Sequence, residues 1–176
     1  MSVHSIGLKI VGTSGSQFTI LDCQHVSNAF SVSGTSSLSV QGLAVINAQT
    51  GFAVGDSAHV NMDDVSVFTS ERGVFATDQT RVTMRNCIIK GCAGGPTPGM
   101  VATGRVRLFL DSVQIRENVA SSDGVFAVLG GAELVATDLT MAANKVRMQL
   151  QASNSSYRFH HCCGVLHRLR DPECWW

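Results

Sequence analysis

The chain is short of proline, of charge and of long apolar runs, and each shortage removes a class of protein. Only 3 prolines occur in 176 residues, against 17 glycines, and Ser, Thr, Val and Ala are plentiful. That mix suits short strands stacked tightly and joined by turns. Charged residues make up 15%, with 13 basic side chains against 13 acidic ones. No basic stripe collects phosphates, so no nucleic-acid partner is expected. No run of about 18 apolar residues exists, and none of the chain is expected to span a membrane. The opening stretch MSVHSIGLKIVGTSG lacks a basic segment followed by a long apolar core. It does not read as a signal peptide, which leaves a cytoplasmic chain or a piece of a longer secreted one.

What the chain has instead is an internal repeat. SLSVQGLAV from Ser37, HVNMDDVSV from His59, RVTMRNCII from Arg81, RLFLDSVQI from Arg107 and ELVATDLTM from Glu133 can be superposed, and QFTILDCQH from Gln17 follows more loosely. Apolar residues fall at the second, fourth and seventh positions, as in Leu38, Val40 and Leu43 or Val60, Met62 and Val65. The second position recurs at Phe18, Leu38, Val60, Val82, Leu108 and Leu134, in steps of 20, 22, 22, 26 and 26. A period of that length, with one short strand pattern per unit, marks a solenoid.

Two more apolar sites complete each unit. Pairs at Phe30/Val32, Phe52/Val54, Val74/Ala76, Met100/Ala102 and Phe126/Val128 have the two-residue spacing of a strand with one face inward. A third site recurs at Val45, Val67, Ile89, Ile115 and Met141. Three short inward-facing strands and three corners per unit describe one rung of a parallel β-helix. Helical repeats would need three- and four-residue spacing and better helix formers. The sixth position reads Asp22, Gly42, Asp64, Asn86, Ser112 and Asp138, residue types that tolerate left-handed backbone at a corner. Val65 is expected to point inward and Ser66 outward, so that a charge is tolerated at 66. Extra residues at Cys92–Pro98 and Asn118–Asp123 fall in one turn, and such insertions gather on one face.

The fold class is therefore all-β: a right-handed parallel β-helix solenoid of about six to seven rungs, 20 to 26 residues each. It is assigned to residues 1–160, with 161–176 as an irregular C-terminal tail or cap. These rungs resemble the repeats of the pectin lyase-like superfamily. FTILDCQHVSNAFSV followed by LSVQGLAVINA resembles, more narrowly, the surface β-helices of the polymorphic outer-membrane-protein type. The resemblance implies a fold shared by lyases, hydrolases, epimerases, adhesins and inert stalks, so it defines no activity.

Lyases of this fold place acidic calcium ligands and a basic proton acceptor on the outside of one sheet. Here the outward column beside the corner reads Gln41, Asp63, Arg85, Asp111 and Thr137. With rungs about 4.8 Å apart, Asp63, Arg85 and Asp111 are neighbours and are the catalytic candidates. Calcium needs several converging carboxylates, whereas this column offers two with a cation between them. An acid–base–acid ladder that cancels repulsion along the stack is the simpler reading. A second column, Ser37, His59, Arg81, Arg107 and Glu133, is a solvated face with a mildly positive centre, and an acidic sugar is the ligand it would suit.

Cys23 and Cys87 are placed at one inward position three rungs apart, roughly 14 Å at the sheet spacing, beyond disulfide reach. Both are read as free, buried thiols, and Cys92 has no evident partner. Tyr157, Phe159 and Cys162 begin one more rung. In the tail, His160, His161, Cys162, Cys163, His167 and Cys174 lack the spacing of a zinc site, so no metal and no cofactor are assigned. Trp175 and Trp176 are read as apolar lids. The functional expectation is a non-catalytic surface or extracellular scaffold or adhesion module, part of a longer solenoid, whose partners are carbohydrate or another surface protein. End-to-end self-association is expected from the uncapped first rung. The alternative is a carbohydrate-active enzyme or a fragment of one, of polysaccharide lyase type, and only that alternative calls for calcium.

Overall fold

The computed structural model describes residues 1–4, 6–145, 148–150 and 156–162. Among them every regular element is a strand, and the strands stack in parallel as a β-solenoid of about six turns. Each turn visits three faces. The first face holds Gly7–Val11, the leading halves of Ser37–Ile46 and His59–Phe68, then Arg81–Arg85, Arg107–Asp111, Glu133–Thr137 and Ser156–His160. The second holds Ile20–Asp22, the trailing halves of those two long strands, Ile88–Lys90, Gln114–Arg116 and Thr140–Ala142. The third runs from Ser2–His4 through Phe30–Ser33, Thr50–Val54, Arg72–Ala76, Met100–Thr103 and Phe126–Leu129 to Met148–Leu150.

The register follows the inward columns predicted by the repeat. Leu38, Val60, Val82, Leu108 and Leu134 stand in line, and Leu43 opposes Val65. The third-face pairs Phe30/Val32, Phe52/Val54, Val74/Ala76, Met100/Ala102 and Phe126/Val128 form two further lines. Nearly all these side chains are fully buried, each aliphatic one contributing on the order of 1.5–3 kcal/mol. The rings of Phe30 and Phe52 stack with centroids 4.9 Å apart, the geometry in which aromatic columns gain beyond area alone.

The corners explain the polar residues. Gly42, Asp64, Asn86, Ser112, Asp138 and His161 all have positive φ, so one left-handed residue per rung turns the chain from the first face to the second. A second such line is Asn47, Thr69, Gly91, Glu117 and Ala143, and a third is Gly34, Asp56, Asp78, Gly104 and Gly130. Short polar side chains and glycine bear this conformation at least cost.

The first rung departs from the repeat alignment. Its anchors are Leu8 and Ile10, which pair with Leu38 and Val40. Phe18 is 77% and Ile20 58% exposed, so the QFTILDCQH stretch is not the first copy of the unit. Residues 12–19 are an insertion at the first corner, and Ile20–Asp22 belongs to the second face, with Leu21 opposite Val45. The apolar spacing around Phe18 imitates the motif, but spacing alone does not reveal an inserted loop. Consequently Cys23 does not share the column of Cys87. Asp22 is likewise off the corner line, lying opposite Ile46. Ser66 faces outward in register yet is only 5% exposed, so it is a poor site for a charge; Asn61, exposed on the same strand, is the tolerant one.

At the other end, Ser156–His160 pairs with Glu133–Thr137, placing Tyr157 beside Leu134 and Phe159 beside Ala136. Cys162 follows, partly buried against the core. Cys163, His167, Cys174, Trp175 and Trp176 lie outside the described residues.

Candidate functional site

Asp63, Arg85 and Asp111 are brought together as the sequence implies, one beside the next on the first face. They do not form the ladder of ion pairs, because no nitrogen of Arg85 approaches either carboxylate within ion-pair distance among the described residues. The aspartates turn to the corner instead. Asp63 accepts a hydrogen bond from the side-chain amide of Asn86 at 3.3 Å, and Asp111 accepts one from the Ser112 hydroxyl at 3.3 Å. A two-carbon side chain reaches the corner residue beside it more easily than a guanidinium one rung away. Beside Asp63 and Arg85, but not Asp111, lies a hollow of about 310 Å³ whose lining includes Lys9, Gln41, Asn61 and Arg81. Among the described residues no three His, Cys, Asp or Glu side chains come together closely enough to hold a metal ion.

The second outward column is also in register: Ser37, His59, Arg81, Arg107 and Glu133 lie side by side. Glu133 pairs with Arg107 at 3.8 Å. The Arg81 guanidinium lies 4.8 Å from the centroid of the Phe109 ring on the next rung, a cation–π contact that fixes its direction. Sequence reasoning overlooked Arg105. It sits in the turn before Arg107–Asp111, where each rung supplies one residue, and its amide donates to the Asp78 carbonyl. Reading the column three places before each inward anchor, Thr35, Ser57, Gln79, Arg105 and Gly131, would have exposed it as the cation of that line. Arg105 and Arg107 border two adjoining hollows of about 390 and 440 Å³.

Inside the solenoid a polar line runs along the second corner. The Ala48 amide donates to the Ser70 hydroxyl at 3.1 Å, and the Cys92 amide to the side-chain carbonyl of Asn118 at 2.8 Å. The Asn118 amide in turn donates to the Asn144 side-chain carbonyl at 2.9 Å. The side-chain nitrogens of Asn118 and Asn144 reach the Ile89 and Ile115 carbonyls. Fully buried Asn118 thereby pairs the Cys92 amide, a backbone donor just beyond the Ile88–Lys90 strand. Cys92 occupies the same line and is buried rather than exposed in an open turn. Burial pushes the Cys87 and Cys92 thiols up to about 12, so both are inert at neutral pH. Cys23, Cys87, Cys92 and Cys162 are all free.

At the third corner, the Asp56 carboxylate accepts the Gly34 amide at 2.7 Å and that of Asp78 accepts the Asp56 amide at 3.2 Å. The Thr77 hydroxyl, followed by that amide, holds the Asp78 carboxyl below its ordinary value. The inserted loop 12–19 is tied back to the first corner by Ser16, whose hydroxyl and amide donate to the Asp64 carboxylate at 2.7 and 3.2 Å.

Fold and surface together define the class: a parallel β-solenoid whose polar chemistry is arranged in columns along its outside. No family model, no curated protein and no solved structure matches the chain. What the structure shows is the β-solenoid itself, and the likeness to pectin lyase-like repeats rests on the repeat pattern of the sequence.

Proposed function

We propose that this chain is a non-catalytic scaffold or adhesion module, presenting its outer columns to a ligand at a cell surface or outside the cell. The observation that supports this reading is the state of Asp63, Arg85 and Asp111. They stand in line along the axis and the two carboxylates bond to corner residues, so they do not converge on one point where a reacting atom could sit. General acid–base work requires convergence within hydrogen-bond reach. Turnover is tested by incubating the chain with a panel of pectins and alginates, with and without calcium, and following the absorbance of unsaturated products. The scaffold reading expects none. Calcium-dependent product formation abolished by Asp63→Asn would establish the lyase alternative instead.

A further inference from the structure

We propose that the cleft formed by Arg81, Arg105, Arg107 and His59 is a binding site for a sulfate-bearing polysaccharide. The hollow of about 390 Å³ is lined by these four residues with Gln79 and Thr80, and by no acidic residue. It adjoins the 440 Å³ hollow, where Glu133 stands at the far side of Arg107. Among the described residues neither Arg81 nor Arg105 has a carboxylate within ion-pair distance. In a chain whose formal charges cancel, three guanidinium groups gathered against the single carboxylate of Glu133 form a local excess that calls for an anion.

The form of the groups selects the anion. Guanidinium forks bind oxyanions through paired N–H donors. A carboxylate fills one fork with its two oxygens, whereas a sulfate has a third oxygen for the guanidinium of the adjacent rung. His59, Arg81 and Arg107 come from successive rungs, about 4.8 Å apart, and one pyranose unit of an extended chain advances by a comparable step. A polysaccharide lying along the axis therefore presents successive sulfates to successive rungs. Single-stranded nucleic acid is the less suited polyanion, because such sites combine positive charge with aromatic platforms for the bases. No Phe, Tyr or Trp lines this cleft, and the nearby Phe109 ring is covered by Arg81.

The site deepens the reading of a non-catalytic module, and binding is measured apart from turnover so that either can fail alone. The probe is an end-labelled heparin oligosaccharide followed by fluorescence anisotropy over a salt series. Its desulfated form and a single-stranded oligonucleotide of equal charge serve as comparisons. Binding that weakens steeply with salt and is lost on desulfation is expected. Arg105→Gln with Arg107→Gln removes two charge-assisted contacts and should weaken binding about tenfold or more. Arg81→Gln alone should give a smaller loss, and Lys90→Gln, on the second face, none. All four side chains are partly or fully exposed, and thermal unfolding of each variant confirms that the solenoid is intact. No binding by the wild-type chain, equal binding after desulfation, an equal loss in Lys90→Gln, or tighter binding of the oligonucleotide would each overturn the assignment.

Discussion

At the scale of single residues, this protein is governed by what its buried polar groups are bonded to. Asn118 accepts from the Cys92 amide and donates to the Ile89 carbonyl from a site with no solvent exposure. Asn118→Ala leaves the buried Cys92 amide without a partner, at a cost of about 1–3 kcal/mol. Urea denaturation should show the unfolding free energy falling by that amount; a change within about 0.5 kcal/mol, the range of ordinary surface substitutions, would mean that water replaces the side chain. The thiols give a second test. Cys87 and Cys92, raised to about 12 by burial, should resist alkylation in the native state while the half-buried Cys162 reacts. Because the folded values lie above the ordinary value near 9, these thiols support folding fully below pH 9. That support is lost as pH rises through the window from 9 to about 12, where the unfolded chain ionises first. Thermal melts of wild type and of Cys87→Ala should therefore converge as the pH is raised through that window.

At the scale of the element, the third face depends on close approach between rungs. Gly51, Gly73 and Gly99 stand one above another, and a Cβ on Gly51 would lie 2.6 Å from the Gly73 carbonyl oxygen and 2.9 Å from a Val67 methyl. A Cβ on Gly73 would meet the Gly99 carbonyl oxygen and the Ile89 side chain. Gly73→Ala should accordingly destabilise by about 1–3 kcal/mol, the usual penalty for overpacking, read as a lower melting temperature with unchanged circular dichroism. Stability equal to wild type would show that the rungs can separate locally. The neighbouring strand tests the inward–outward assignment. Val65→Asp, at 1% exposure, should prevent folding, whereas Asn61→Asp on the same strand should be neutral. Equal damage from both would contradict the register.

At the scale of the whole molecule, the solenoid is unevenly finished. Of the seven large apolar side chains that are exposed among the described residues, Met1, Ile6, Val11, Phe18, Ile20 and Val26 all lie in the first rung and its turns. Ser2–His4, Gly7–Val11 and Ile20–Asp22 are each paired on one side only. An edge that combines open backbone groups with apolar side chains is a template for another strand. A second copy stacking on this rung should make the chain associate with rising concentration, and Ile20→Lys should suppress that association by placing a charge on the edge. Sedimentation velocity across a concentration series measures both. A monomer at every concentration would show that the edge is protected.

Much of this architecture was legible in the residues. Leu38, Val60, Val82, Leu108 and Leu134 reveal the rung because inward and outward positions alternate locally in every strand. Asp64, Asn86, Ser112 and Asp138 reveal the corner because left-handed backbone has few tolerant side chains. Asp63, Arg85 and Asp111 could be placed side by side from the step between anchors, and the structure agrees. What the steps could not reveal is where the chain departs from them. The loop 12–19 shifts the first rung away from the apparent motif at Phe18. Arg105 joins Arg81 and Arg107 only because the third corner folds the preceding turn against the first face. Asn118 and Ser70 form one buried line, although nothing in either neighbourhood marks them as inward. The pattern within a rung is a local property of alternating side chains, and the sequence determined it. Which residues meet across rungs depends on insertion lengths and corner geometry, and these only the tertiary structure decided.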